Sequence, residues 1–299
     1  MSVDNNYAKI IFVMHTWVSD YYKNIFGTKV YKLTFDAGCT CPTRDGSKGT
    51  RGCIFCSQSG SGEFTVPFDE AVTRLPARFK GADTFIAYFQ NYTNTYGDLA
   101  DLSAKWHKAL SYKGIKGLAL GTRPDCLGDD VLEELDKISR EHFVQLELGF
   151  QTASEKAAEY IRRGFSNDVY FDAVARIHKI APAVHVVTHV IFGLPGETEE
   201  DMMKSVRAAV DAGTDGIKIM CLYVLKDTDL ALEYEQKKFE VLGMEEYFAL
   251  LKKALAIIPP GVIIHRLTGD PPKATLIAPT WTTDKKRVMD RVKKLVQES

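Results

Sequence analysis

The chain has 299 residues, 45% hydrophobic and 26% charged, with a net charge of −1. That is an ordinary globular composition, with enough chain for one large core or two modest ones. No apolar run approaches the ~20 residues of a membrane span. The stretch MSVDNNYAKIIFVMHTW lacks the basic start and long apolar segment of a secretory leader, so a cytoplasmic location is expected. The near-neutral total gives no global electrostatic case for nucleic acid, whose binders usually carry a basic face, and leaves a local basic patch open. Six cysteines in a reducing compartment point to metal or catalysis rather than disulfides.

Residues 1–28 are amphipathic and aromatic (Trp17, Tyr21, Tyr22, Phe26) and predict a helix packed on the outside of the main domain. Val30–Phe35 (VYKLTF) has the alternation and β-branching of a strand. A loop follows at once, Cys39–Ser57, reading CTCPTRDGSKGTRGCIFCS, with four of the six cysteines and three glycines (Gly46, Gly49, Gly52). A segment with so many thiols and so few apolar residues is not a core element; its expected task is to hold a metal.

Beyond Pro67 helical stretches and apolar strands alternate. Strands are predicted at Thr84–Phe89, Gly117–Gly121, Val144–Gly149, Val184–Phe192, Gly216–Tyr223 and Val262–Leu267. Helices are predicted at Phe68–Phe79, Leu99–Tyr112, Asp129–His142, Ala153–Arg163, Asp168–Ala181, Glu199–Ala212 and Met244–Ile257, with a helical tail at Asp284–Ser299. Thr198 with Asp201 reads as a capped helix start, and Gly213 as the glycine just past its end. Such alternation implies parallel strands joined by right-handed crossovers. An open doubly wound sheet and an incomplete βα barrel both fit, and both place chemistry at the carboxyl ends of the strands. Polar groups do collect there: the cysteine loop, QNYTNTYG (Gln90–Gly97), TRPDC (Thr122–Cys126), Glu147 with GFQT, GLPGE (Gly193–Glu197), MCLYVLKDT (Met220–Thr228), and His265 with Arg266.

Three readings compete for the C-x-C-x11-C-x2-C loop. Four thiolates on a structural zinc would make a binding module rather than an enzyme. A redox dithiol at Cys53 and Cys56 would normally open a helix, whereas here it ends a long loop. An iron–sulfur cluster held by three thiolates would leave one iron open. The loop's position on the chemical rim favours the third.

The motifs CPTRDGSKGTRGCIFC, AYFQNYTNTYG, GTRPDC, LELGFQT, GLPGE, DGIKIM, and HRLTG followed by APTW resemble, in order and spacing from about residue 17 to 281, a bacterial group of radical S-adenosylmethionine proteins. That group is related to the catalytic subunit of Elongator. The resemblance implies a partial (β/α)6-type TIM-like barrel in a single domain (1–299). Its core would span about residues 29–268, between an N-terminal extension (1–28) and a C-terminal tail (269–299). It implies a [4Fe–4S] cluster on Cys41, Cys53 and Cys56, with Cys39 a bystander. The open iron would bind S-adenosylmethionine, and reductive cleavage would give a 5′-deoxyadenosyl radical.

By the same resemblance Phe55 lies beside the adenine, and Gln90, Glu147, Gln151 and Arg163 contact the rest of the cofactor. Tyr92, with Thr93, Asn94 and Tyr96, would wall the substrate site. Lys226, His265, Arg266 and Lys273 would supply positive charge for an anionic substrate group. Arg123 reads as a brace on Asp125, His189 as a satisfied core histidine, and Cys126 and Cys221 as buried small hydrophobes. Met220 stands where the family often has histidine, which loosens any carry-over of substrate. The implied substrate is a tRNA wobble uridine, for example 5-carboxymethylaminomethyl-uridine converted to 5-aminomethyl-uridine. Arg162, Lys273 and Lys285–Arg287 would face phosphate, and a flavodoxin or ferredoxin would supply electrons. A small-molecule or peptide substrate is the alternative within the same chemistry.

Overall fold

A computed structural model describes residues 15–60, 62, 65, 66, 68–74, 79 and 81–298. Seven strands form one sheet in the order β1-β2-β3-β4-β5-β6-β8, every neighbouring pair parallel. They are β1 (Tyr31–Phe35), β2 (Phe85–Phe89), β3 (Ile115–Thr122), β4 (Phe143–Gln151), β5 (His185–Phe192), β6 (Gly216–Cys221) and β8 (Ile263–Arg266). β1 and β8 are the two edges, and the strands follow one another in chain order with none of the reversal that marks a doubly wound sheet, so the curled sheet is a partial TIM-like barrel.

The strands are buried on both faces, which is why they read as apolar runs. Alternate residues (Leu33, Phe89, Leu120, Leu146, Val186, Ile217) form the main core with Trp106, Leu132, Tyr170, Val206 and Leu251 of the surrounding helices. Full burial of each large side chain is worth roughly 1.5–3 kcal/mol, so this layer is what fixes the curvature. The helices are α2 (Phe68–Arg74), α3 (Leu99–Leu110), α4 (Asp129–Ser139), α5 (Glu155–Tyr160), α6 (Asn167–Ile180), α7 (Glu199–Asp211) and α9 (Met244–Ile257). The last turn predicted for α2, to Phe79, extends beyond the described residues of that helix. The capping box of Thr198 and Asp201 is formed, and Gly213 follows α7 at φ 89°, as the sequence predicts.

Three features depart from expectation. α1 (Val18–Phe26) does not lie on the outside. Tyr22 is buried against Ile86, Tyr88 and Ala119, its hydroxyl donates to Gln145 Oε1 at 2.7 Å, and Tyr21 stacks on His185. Its aromatic face therefore closes the amino-terminal end of the half-barrel. The predicted strand Gly216–Tyr223 ends at Cys221, and β7 (Val224–Leu225) pairs antiparallel with β9 (Leu276–Ala278) in a separate sheet. A short helix not predicted from the sequence, α8 (Asp229–Glu235), follows β7, whereas α10 (Lys285–Glu298) is the expected helical tail.

Candidate active site

The carboxyl ends of β2–β6 and the cysteine loop enclose a cavity of about 440 Å³. Cys41, Cys53 and Cys56 line it together, and Cys39 does not. Cys39 packs on the main core beside Asp36 and Lys105. Burial pushes the Cys53 thiol up to about 12, and the neighbouring Cys56 and Cys41 add to the shift because the three share one space; Arg123 and Arg44 oppose it. Among the described residues no three His, Cys, Asp or Glu side chains are drawn together as a single-ion site. Three thiols on one cavity are the donor set for an iron–sulfur cluster with one iron left open.

Hydrogen bonds hold the loop in place. Arg44 Nη2 donates to the carbonyls of Cys56 (3.0 Å) and Ser57 (2.6 Å). A side chain at Gly52, where φ is 72°, would come within 2.9 Å of Arg44 Nε, so glycine is needed for that clamp. Arg123 grips Asp125 through Nε (2.9 Å) and Nη2 (3.0 Å), and Lys48 Nζ donates to the same carboxylate at 2.6 Å. The brace expected for Arg123 is the geometry seen.

Phe55, Gln90, Gln151, Tyr92 and Arg266 also line the cavity. Gln151 sits at φ 63° beside a register shift between β4 and β5, the local kink that a bulge produces. Tyr92 sits at φ 55° with its hydroxyl donating to the Gln58 carbonyl at 2.6 Å. Asn94 is different: its amide nitrogen donates to the carbonyls of Phe89, Asn91 and Gly121, which staples the loop to the strand ends. The Tyr96 hydroxyl meets Ser47 instead, at 2.8 Å.

Four expected roles meet a different geometry. Arg163 is 1% exposed, and its donors go to the carbonyls of Phe165, Phe150 and Thr152 and to Asn167 and Glu155. All five of its N–H groups are thus engaged within the protein, although the residue lines the cavity. His265 is not a surface cation: it meets His185 at 2.8 Å, and burial holds it well below the usual imidazole range. Lys226 lies in a second groove of about 820 Å³ that shares Arg44, Cys53 and Cys56 with the cavity, and its ammonium donates to the Ala274 carbonyl. Cys126 is half-buried beside Asp125 rather than a core thiol, whereas Cys221 is buried as expected.

Glu147 faces the cavity at 1% exposure, and its carboxylate is fully engaged. Oε1 accepts from Lys32 and from Gln145 Nε2, both at 2.7 Å; Oε2 accepts from Tyr88 Oη (2.5 Å), His189 Nε2 (3.0 Å) and Lys218 Nζ. The two lysines hold Glu147 well below the usual carboxylate range against the opposing cost of burial. His189 is thus satisfied, but at the cavity wall. Sequence reading missed Lys32, Tyr88 and Lys218. The usable signal was a lysine inside an apolar strand, in VYKLTF and GIKIM, where an unpaired charge is costly.

The model of the Radical SAM superfamily matches residues 46–209, more than half of the chain, and the Radical SAM C-terminal domain matches 214–298. The chain belongs to the radical S-adenosylmethionine superfamily. YtqA of Bacillus subtilis (strain 168) is 37% identical over 277 residues, covering 90% of this chain and 85% of YtqA. YhcC of Escherichia coli (strain K12) is 34% identical over 262 residues, covering 86% and 84%. A shorter match, 30% over 130 residues, is to tRNA-2-methylthio-N(6)-dimethylallyladenosine synthase of Clostridium perfringens (strain SM101 / Type A), covering 41% of this chain and 28% of that protein.

Among solved structures, Elp3 of Methanocaldococcus infernus superposes with a TM-score of 0.62 at 16% identity, over 89% of this chain and 63% of its own. The fold of the Elongator-related group is therefore the fold seen here. Radical S-adenosylmethionine enzymes use a [4Fe–4S] cluster and S-adenosylmethionine, and this protein is such an enzyme; a non-enzymatic zinc module is set aside. No helix among the described residues is long and apolar enough to cross a membrane.

Proposed function

We propose that the protein modifies the wobble uridine of tRNA, converting 5-carboxymethylaminomethyl-uridine to 5-aminomethyl-uridine: the CH2 beside the carboxylate loses a hydrogen atom and then one electron to the oxidised electron carrier, and water hydrolyses the resulting imine, releasing the two-carbon arm as glyoxylate and leaving the amine on the base. The observation that carries this reading is a cavity lined both by three thiols and by a set of polar and cationic side chains that includes Lys218 and Arg266. Cys41, Cys53 and Cys56 would hold the cluster, and Cys39 would take no part. When bound, the cluster and S-adenosylmethionine supply a carbon-centred oxidant that takes a hydrogen atom from an unactivated C–H bond.

The protein's contribution is position and exclusion of water. Phe55, Gln90 and Gln151 line the space next to the thiols, where the adenine, ribose and amino acid parts would sit. The Tyr92 ring, backed by Arg44 at 5.7 Å, offers a flat face for an extruded base, which must leave its stack to reach such a cavity. The partial match to a tRNA-modifying synthase supports an RNA substrate. The expected phosphate contacts are Arg162, Lys273 and Lys285–Arg287, of which Arg162 is paired with Asp229 and Lys285 with Asp270; a flavodoxin or ferredoxin would deliver electrons in the cytoplasm. The chain is taken to act as one domain, with residues 29–268 as its core.

Nucleoside mass spectrometry of tRNA from a deletion strain tests the reading. It is expected to show 5-carboxymethylaminomethyl-uridine accumulating at the expense of the aminomethyl form. An unchanged wobble profile contradicts it.

A further inference from the structure

The cations near the thiols are Arg44 and Arg123, which suit an anionic cluster. The carboxylates lining the cavity are Glu147 and Asp270. Asp270 is paired outward with Lys285 at 3.0 Å, and Glu147 is shared between Lys32 and Lys218. Arg266 acts on Lys218 and Tyr88 as a neighbouring charge, yet has no carboxylate partner among the described residues. Lys32 and Lys218 thus share Glu147 while Arg266, an exposed residue beside Lys218, has no such partner, and Lys218 and Arg266 line the open space together with Glu147 and Asp270.

We propose that Lys218 and Arg266 form the subsite on the cavity wall that takes a carboxylate of the substrate, fixing the carbon beside it for reaction. This rests on the wobble-uridine reading, in which the reacting CH2 carries that carboxylate. A guanidinium fork matches the two oxygens of a carboxylate. Backbone phosphates run along the outside of a polynucleotide, whereas an extruded base carries its side arm inward. Burial, together with the charges of Lys32 and Arg266, pulls the Lys218 ammonium down to about 7. An anion arriving beside them relieves that repulsion, and a neutral group does not. Specificity then follows from the polar groups left unpaired when the carboxylate is missing.

The test uses the anaerobic holoenzyme and N-methylglycine, which has the same amine–CH2–carboxylate arm, with its amide, which lacks the carboxylate charge, as the control. Ligand-observed NMR is expected to show the wild type binding the acid at least ~10-fold more tightly than the amide, in keeping with a charged hydrogen bond worth ~1.5–3 kcal/mol. Arg266→Gln and Lys218→Met are expected to lose that preference, and Arg266→Lys to recover part of it. Iron content per chain reports whether each variant is folded. Equal binding of acid and amide by the wild type overturns the proposal whatever the variants do. So does acid binding unchanged in both folded variants, even if tRNA is converted. Acid-selective binding, lost in the variants, by a protein that converts no tRNA keeps the subsite and overturns the wobble-uridine reading instead.

Discussion

Lys32 on β1 reaches Glu147 on β4 at 2.7 Å, crossing the concave face past two intervening strands. The contact exists because the sheet curls, and it turns Glu147 into the tie between one sheet edge and the centre. Removing the charge leaves Lys32 and Lys218 buried around a neutral group. Glu147→Gln is therefore expected to cost about 3–5 kcal/mol, the usual penalty for breaking one partner of a buried ion pair. Urea unfolding monitored by circular dichroism checks it. Wild-type stability with weakened S-adenosylmethionine binding would restore the cofactor-contact role first expected for this residue.

Arg163 leads to a parallel expectation. Its guanidinium satisfies the carbonyls of Phe150, Thr152 and Phe165, so Arg163→Met orphans several buried acceptors at ~1–3 kcal/mol each. Loss of thermal stability is expected to exceed any change in S-adenosylmethionine affinity measured on surviving holoenzyme. The reverse order would place Arg163 on the cofactor.

The fold was legible for simple reasons. Strands buried on both faces and helices of 3.6-residue period leave strong one-dimensional patterns, so β1–β6 and β8 and the crossover helices were found within a few residues. The thiol loop was legible because six cysteines are few and four of them crowd one segment. The Glu147 network was not. Its members come from β1, β2, β4, β5 and β6 and meet only through curvature, which no local window contains. The partners of Arg163 and His265 were equally hidden: the carbonyls around Arg163 and the ring of His185 beside His265 are brought to them only by the fold.

Lys218 predicts a pH dependence with a definite sign. Its folded value, about 7, lies below the ordinary 10.5, so the unfolded chain binds more protons between those limits. Folding stability is expected to rise with pH across that window, by at most about 1.4 kcal/mol per pH unit, and Lys218→Met should flatten the slope. Carboxylate binding should move oppositely, weakening as pH rises through about 7 and the ammonium loses its proton. Glu147, Lys32, Tyr88, His189 and Arg266 surround the group, and only Lys218 is expected to change charge there. Paired pH series of unfolding and N-methylglycine binding test both signs.

Gly60 carries a steric prediction. It sits at φ 60°, and a side-chain carbon there would approach the Tyr92 ring to 2.4 Å. Gly60→Ala combines left-handed strain with displacement of the aromatic wall, at a cost of about 1–3 kcal/mol. It is expected to impair substrate turnover while iron content stays near wild type; unchanged turnover would remove Tyr92 from the substrate wall.

The shared cavity of Cys41, Cys53 and Cys56 separates them from Cys39. Cys53→Ala is expected to lose the [4Fe–4S] absorption and most iron, and Cys39→Ala to keep both. Loss of the cluster in Cys39→Ala would show that the ligands have been assigned wrongly.

The most direct measurement is 5′-deoxyadenosine release from S-adenosylmethionine by the reduced, anaerobically purified protein, with and without tRNA from the deletion strain. Release is expected from the wild type, with a several-fold increase on adding that tRNA and aminomethyl-uridine appearing in it, and none from Cys53→Ala. Release that ignores tRNA and leaves its nucleosides unchanged contradicts the wobble-uridine account.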